Sequence, residues 1–469
     1  MENILKKGLA NALAVAMCAV ALLAGQAAVP QAAVADELPM SQVLVKSHKL
    51  SSVLPDVSAT QKDEADSSMA STQELNTRDE SEYDSVMDVY GSGNEIWGDY
   101  VCYKNLTFRG GGTLTIHGDL IVYGGLNNVD GCKIYVEGNV FILDDFAIKN
   151  SSSLTSKASI LSYGNISVSG SGTSLSAYDQ VAALGNVSVS SNAKVSVTRG
   201  NASTMGDSID PEDAASLNAA LTGSGALHAD GNLSINRGKI SVKASSARPA
   251  AIKSCGKLSI TNSSSVSATF YGEKNWAIAS SSDISLSGST VSASGKNGIG
   301  SLGSISIYKG TTKATSGSSK GLAIYAWSNV KAKYAKITAK SSWRGIEADG
   351  CMSLYKCTTW ASGKDAALFS HKKMTVKYGS VTVYNSSKSL KNKAAIWSNS
   401  TIESYKANYK VVAKKTRGIM ARSGGTFKYC KGNIYAKKKY GIQGNKKVKV
   451  YKGSLKVNKK KVSGKQYRF

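Results

Sequence analysis

Short apolar–x–apolar runs recur along the chain behind Gly or Ser. They read Ile166-Ser-Val168, Val187-Ser-Val189, Leu233-Ser-Ile235, Leu258-Ser-Ile260, Ile284-Ser-Leu286 and Ile305-Ser-Ile307. They continue as Val330-Lys-Ala332, Met352-Ser-Leu354, Met374-Thr-Val376, Ile402-Glu-Ser404, Phe427-Lys-Tyr429 and Val448-Lys-Val450. Their spacing is 21 to 28 residues, apart from one interval of 46. Leu106-Thr-Phe108, Leu120-Ile-Val122 and Val140-Phe-Ile142 fit the same series more loosely. Period-two alternation marks strands with one buried face.

A second alternating run follows seven or eight residues later, as in Val195/Val197, Ile240/Val242, Val291/Ala293, Val381/Val383 and Leu455/Val457. A third apolar column lies six residues before most repeat starts, at Leu227, Ile252, Ile278, Ile299, Ile324, Ile346, Leu368, Ile396 and Ile442. Three short strands in ~22 residues describe a coil that returns to its start once per repeat, and stacked coils share one core. The pattern therefore predicts an all-β fold, a single chain wound as a right-handed parallel β-helix of about 13–15 rungs at roughly 4.8 Å each. Propeller blades need about 40 residues and four strands, and a series of sandwiches lacks this fixed three-column register. The long interval carries Asp210-Pro211-Glu212-Asp213, an N-cap, a proline at the first helical position and acids in the first turn. It predicts an insertion near 199–229 with a helix from Pro211 to about Leu221. Capping accounts for these acids better than a calcium site.

Charge divides the chain. Residues 1–35 hold Lys6 and Lys7, an uncharged apolar stretch from Ala10 to Ala24, and Ala33-Val34-Ala35 before Asp36. This is the layout of a secretory signal peptide cleaved after Ala35, rather than a retained anchor. Cys18 has no lipobox around it. Residues 36–92 carry 4 basic and 12 acidic side chains with few apolar ones, the composition of an acidic disordered segment. Such a segment has the charge to fold back on a basic partner region. The neutral half, 93–300, balances 15 basic against 15 acidic residues, whereas 301–469 holds 37 basic and only 4 acidic ones, Glu347, Asp349, Asp365 and Glu403. No apolar run beyond the first reaches the ~18 residues of a membrane helix.

The rung pattern from about Tyr103 to Lys461 resembles the secreted bacterial right-handed parallel β-helix proteins, the pectate-lyase-like group together with its non-catalytic, carbohydrate-binding and adhesin types. The enzymes of that group cut acidic polysaccharides with clustered Asp residues or Asp-bound calcium and a basic proton acceptor. This chain shows little of that equipment. Hydrolysis needs two converging carboxylates. Glu347 and Asp349 flank Ala348 and point the same way, but Phe369 and His371 occupy the matching places of the next rung. Asp144-Asp145 are strand neighbours that face opposite sides. No active-site constellation emerges, so the residues point to an adhesin-like binding protein and not an enzyme, with no cofactor and no metal centre; a polysaccharide lyase or glycoside hydrolase acting on acidic glycan and a passive structural surface spacer are the alternatives.

The binding signal lies in the outward positions. Ser167, Ser188, Ser234, Ser259, Ser285 and Ser306 give way to Lys331, Thr375, Lys428 and Lys449 in later rungs. On the second strand Ser241, Ser267 and Ser292 give way to Lys313 and Lys456. Aromatic and arginine side chains join them, and the expected ligand-binding set is Tyr325, Trp327, Lys331, Trp343, Arg344, Trp360, Trp397, Arg417, Lys428 and Lys449. Charge attracts an anionic polymer and rings stack on it. The expected partner is an anionic polysaccharide or a teichoic-acid-like cell-wall polymer, met by a secreted or cell-wall-associated monomer with no transmembrane anchor. Nonspecific nucleic acid binding is expected at low salt. The competing reading of any single Lys is a solvated surface that keeps strand edges apart.

Cys102, Cys132, Cys255, Cys351, Cys357 and Cys430 remain after Cys18. Rung separation excludes most pairings, and Cys351–Cys357 or Cys102–Cys132 are the ones distance permits. Buried small residues are the expected role. The chain has no CxxC pair for zinc, no sorting motif and no set of lipid-facing strands of a barrel.

Overall fold

Each coil of the chain makes three short strands, and each strand pairs in parallel with its equivalents in the coils before and after. The computed structural model describes residues 84–200, 225–245, 250–271, 276–388, 393–437, 440–462 and 466–467. The stretch read as a signal peptide, most of the acidic segment, the helix expected over Pro211–Leu221 and the acids beside it lie outside these residues.

Sheet A runs from Asp84–Asp88 through Asn105–Arg109 to Val448–Tyr451, sheet B from Asn94–Ile96 to Ser454–Val457, and sheet C, of 15 strands, from Tyr100–Cys102 to Ile442–Gln443. The result is an all-β, parallel solenoid of about 15 rungs of the right-handed type, with no helix among the described residues. The coils begin inside the stretch read as acidic and disordered, since Asp84–Asp88 already pairs with Asn105–Arg109. At the other end, Lys460–Val462 pairs antiparallel with Ser454–Val457, and Gln466–Tyr467 pairs antiparallel with Val448–Lys449. These strands cover part of the last rung's edge, where an open strand would recruit another chain.

Apolar side chains at alternate positions fill the interior, as Leu258 and Ile260 in sheet A, Val266 and Ala268 in sheet B and Ile278 in sheet C do, all at most 2% exposed. The long interval is one insertion, not a missing rung, because Val187–Ser190 pairs directly with Leu233–Asn236. Two readings of the register shift. Ile402 pairs with Gly425, so the rung expected at Phe427 opens two residues earlier, where a glycine supplies no apolar side chain to mark it. Leu120–Val122 and Val140–Ile142 belong to sheet C, and the rungs that follow them open in sheet A at Leu126 and Phe146. Asn128, buried in place of an apolar residue and donating to the Ser153 carbonyl, obscured that start.

The turn from sheet C into sheet A is held by a side-chain ladder. Asp145 Oδ1 accepts the Asn165 N–H at 2.7 Å, and Asn165, Asn186 and Asn232 each accept the N–H of the equivalent residue one rung on at 2.8 Å. Each oxygen satisfies an amide that the turn withholds from the strands. Inside the same turn, Ser254, Ser280, Ser370 and Ser398 donate their hydroxyls to turn carbonyls of the rung before.

The six cysteines among the described residues are free thiols. Cys357 and Cys430 share the inner corner after sheet A with Ala335, Gly379, Ala407 and Gly453, where space is short: a Cβ on Gly379 would stand 2.5 Å from the Cys357 carbonyl. Burial pushes the thiols of Cys132, Cys357 and Cys430 up, so little thiolate forms at neutral pH. A thiol reagent applied to the folded protein is expected to modify Cys255 and Cys351 at least about tenfold faster than the four buried cysteines, read by peptide mass spectrometry. Ile260→Ala should cost about 2–5 kcal/mol, and hydrogen exchange should rise first in the rungs touching it.

Candidate functional site

In the basic half, the corner from sheet A to sheet B carries one Tyr and one Lys in every rung. The pairs are Tyr308-Lys309, Lys333-Tyr334, Tyr355-Lys356, Lys377-Tyr378, Tyr405-Lys406, Lys428-Tyr429 and Tyr451-Lys452. The order alternates from rung to rung. The first member ends the strand, and the second takes the left-handed corner conformation, with φ between 40° and 59°. Successive rings therefore come alternately from strand end and corner, which turns them edge to face. Centroids from Tyr308 to Tyr429 lie 5.3 to 6.1 Å apart at interplanar angles of 71° to 88°. The seven lysines are exposed, and five of them sit 5.1 to 5.7 Å from a ring centroid of the ladder. Six rung steps of about 4.8 Å give a ladder of roughly 29 Å.

The local energetics of this corner are informative. Earlier rungs place Asp130, Asn150, Ser191, Arg237, Asn262 and Gly288 at the equivalent left-handed position, most of them residue types that tolerate it. Lys or Tyr there costs about 1 kcal/mol per residue. An edge-to-face pair returns about 0.5–1.5 kcal/mol, and the column of ammonium groups repels itself. The ladder is thus close to neutral for folding, and stability alone does not account for its composition. Its signal was present in the sequence as a Tyr–Lys or Lys–Tyr pair after each apolar run. Attention to the middle outward residue passed over it.

The outer face of sheet C carries a second group. Its outward column runs Gly300, Tyr325, Glu347, Phe369, Trp397 and Met420 in register. Trp276 stacks on Tyr325 across Gly300, with centroids 6.1 Å apart, and a Cβ on Gly300 would meet the Trp276 ring at 2.6 Å. Arg344 donates to Asp365 Oδ2 at 2.7 Å and to Glu347, and its guanidinium lies 4.0 Å from the Phe369 centroid and 4.3 Å from that of Trp343. Tyr325 donates its hydroxyl to Asp349 Oδ2 at 2.8 Å, and His371 Nε2 lies 3.4 Å from Asp349 Oδ1 and 3.8 Å from Glu347. Burial raises the Asp349 carboxyl above its ordinary range, with Glu347 adding to the effect, and burial with the Asp349 bond raises the Tyr325 hydroxyl. Glu347 and Asp349 do share a face, and His371 of the next rung joins them.

The ten expected ligand residues are spread over three sheets and do not form one face. Tyr325, Trp343, Arg344, Trp397 and Arg417 lie on or beside the outer side of sheet C, and Trp327 follows it, 57% exposed. Trp397 is only 6% exposed, set edge-on to Phe369 at 5.2 Å with Arg422 over its ring, so its face is not open to a ligand. Trp360 belongs to sheet B and packs 5.7 Å from Tyr384. Lys331 and Lys449 stand on the middle outward position of sheet A, in a column shared with Thr375 and Glu403. Lys428 does not share that column. The register places it in the corner ladder beside Tyr405 and Tyr451.

Comparison of the chain with protein-family models, with curated proteins and with solved structures found no match in any of the three. What carries over from the pectate-lyase-like resemblance is the coil architecture. Arg344→Met strands the mostly buried Glu347 and Asp365 without their cation. It should destabilise the protein by about 3 kcal/mol, measured by denaturant unfolding, with much of the loss recovered when Glu347→Gln and Asp365→Asn are added.

Proposed function

We propose that the protein is an exported, non-enzymatic β-solenoid that holds an anionic polysaccharide or teichoic-acid-like cell-wall polymer along its Tyr–Lys corner. The observation behind this reading is the seven-rung ladder itself. It sets exposed ammonium groups and ring edges at one per rung along a straight line, in conformations that cost folding energy. An extended polyanion laid along that line meets a charge at every step and relieves the repulsion between them. Rings beside the lysines add apolar contact for sugar faces. Lys331 and Lys449 on sheet A widen the basic track beside the ladder.

A glycan partner follows from the export signal, and nucleic acid is the competitor that the same charge would take at low salt. A polysaccharide-cleaving enzyme would need carboxylates open to a sugar, whereas Glu347 is buried and paired with Arg344.

The test is binding of the purified protein to a panel of neutral and acidic polysaccharides across a salt series, with soluble sugar products assayed in the same wells. Saturable binding to acidic polymers that falls with salt is the expected result. Lys333→Gln, Lys356→Gln, Lys377→Gln and Lys406→Gln together should weaken it about tenfold or more at low salt, and Lys331→Gln with Lys449→Gln should weaken it less. Release of shortened sugars would overturn the non-enzymatic reading. Absence of saturable binding would leave the ladder as a surface feature of a passive spacer.

A further inference from the structure

In the last 169 residues, 37 basic side chains face only 4 acidic ones. Three of those four, Glu347, Asp349 and Asp365, meet at one place on sheet C, beside Arg344 and His371. Dispersed acids would each find a lysine in this half of the molecule, so their convergence calls for a local cause. Arg344 accounts for Asp365 and for one oxygen of Glu347. Tyr325 accounts for Asp349 Oδ2. The Glu347 carboxylate, Asp349 Oδ1 and His371 Nε2 are left to face a ligand. Glu347 is 4% exposed, and its Oε2 is buried with no hydrogen-bond partner. Arg344 faces the charge through Oε1, and Oε2 still lacks the further partner that a buried carboxylate needs.

We propose that Glu347, Asp349 and His371 form a site for a divalent transition-metal ion of the Zn²⁺ or Mn²⁺ kind, open to solvent on the His371 side. One atom from each residue lies within 4.8 Å of the other two. Metal–ligand bonds of about 2.1 Å at tetrahedral angles set donor atoms about 3.4 Å apart. His371 Nε2 lies 3.4 Å from Asp349 Oδ1 and 3.8 Å from Glu347 Oε1. One imidazole and two carboxylates favour Zn²⁺ or Mn²⁺ over Ca²⁺, which prefers oxygen alone. The side chain of Asn399 lies 3.4 Å from His371 Nδ1. Its Oδ1 is buried without a partner. Turned with that oxygen toward the ring, the amide accepts Nδ1–H and leaves the Nε2 lone pair facing the carboxylates. Glu347 and Asp349 come from one rung and His371 from the next, so the ion would tie two rungs together.

The experiment uses the full chain, stripped with chelator and titrated with Zn²⁺ by equilibrium dialysis, with Co²⁺ absorption as a second readout. The wild type should bind one more equivalent than His371→Ala, a substitution at a half-exposed side chain that leaves the core untouched. Asp349→Asn, which keeps a partner for Tyr325, should weaken the same site at least about tenfold. Zn²⁺ should also raise the melting temperature of the wild type more than that of His371→Ala. Zinc held by His228, Asp230 and Cys255 would be the same in both proteins, so the difference counts only this site. Equal stoichiometry in the wild type and His371→Ala would overturn the proposal. So would displacement of Zn²⁺ by an equal concentration of Ca²⁺, which would mark an oxygen-only site. Polymer binding is measured separately in chelator, so neither result decides the other.

Discussion

Parallel register from coil to coil is the constraint on which everything else in this protein depends. A strand paired only on one side leaves half its amides and carbonyls open, and a slip of one residue would turn every buried side chain outward. Each rung is acceptable only because the rungs above and below repeat it. The Asn and Asp oxygens at the turn into sheet A carry that repetition through a place where strands cannot. The insertion is tolerated for the same reason: Asn186 reaches Asn232 across it, and the coil resumes in register.

Register also turns single residues into columns. A lysine on a globular protein is one charge among many, but a lysine at the same corner of seven consecutive coils, alternately at strand end and turn, is a line of charge along the solenoid. Tyr and Lys exchange places in alternate rungs, which sets each ring edge-on to the next instead of flat against it, the arrangement that aromatic quadrupoles favour. The neutral half builds the same corner mostly from Asn, Asp and Gly, with Ser191 and Arg237 in two of its rungs, and so shows a more relaxed version.

The two chemistries of the basic half are kept apart by the cross-section of the coil. Lysines occupy the corner between sheets A and B, and three of the four carboxylates, all but Glu403, gather on sheet C beside Arg344. An anionic polymer on the corner would not meet those acids, and a cation held by Glu347, Asp349 and His371 would not be competed for by the polymer.

How much of this was legible in the sequence follows from what each signal depends on. Alternation of apolar residues is a local property, and it fixed the coil, the three columns and the rung number before any contact was known. It misled only where the marker residue was missing, at Gly425, or replaced by a buried polar one, at Asn128. Charge segregation was likewise a matter of counting. The sites were another matter. Glu347 and Asp349 could be placed on one face from their spacing, but their meeting with His371 and Arg344 depends on which rung follows which and by how many residues. Trp397 read as an outward ring, and the packing of Phe369 and Arg422 against it closed that face. Sequence determines which way a side chain leaves its strand. Only the stacked coils decide what it meets there, because its neighbours come from residues some 20 to 28 positions away, with turn lengths that vary from rung to rung.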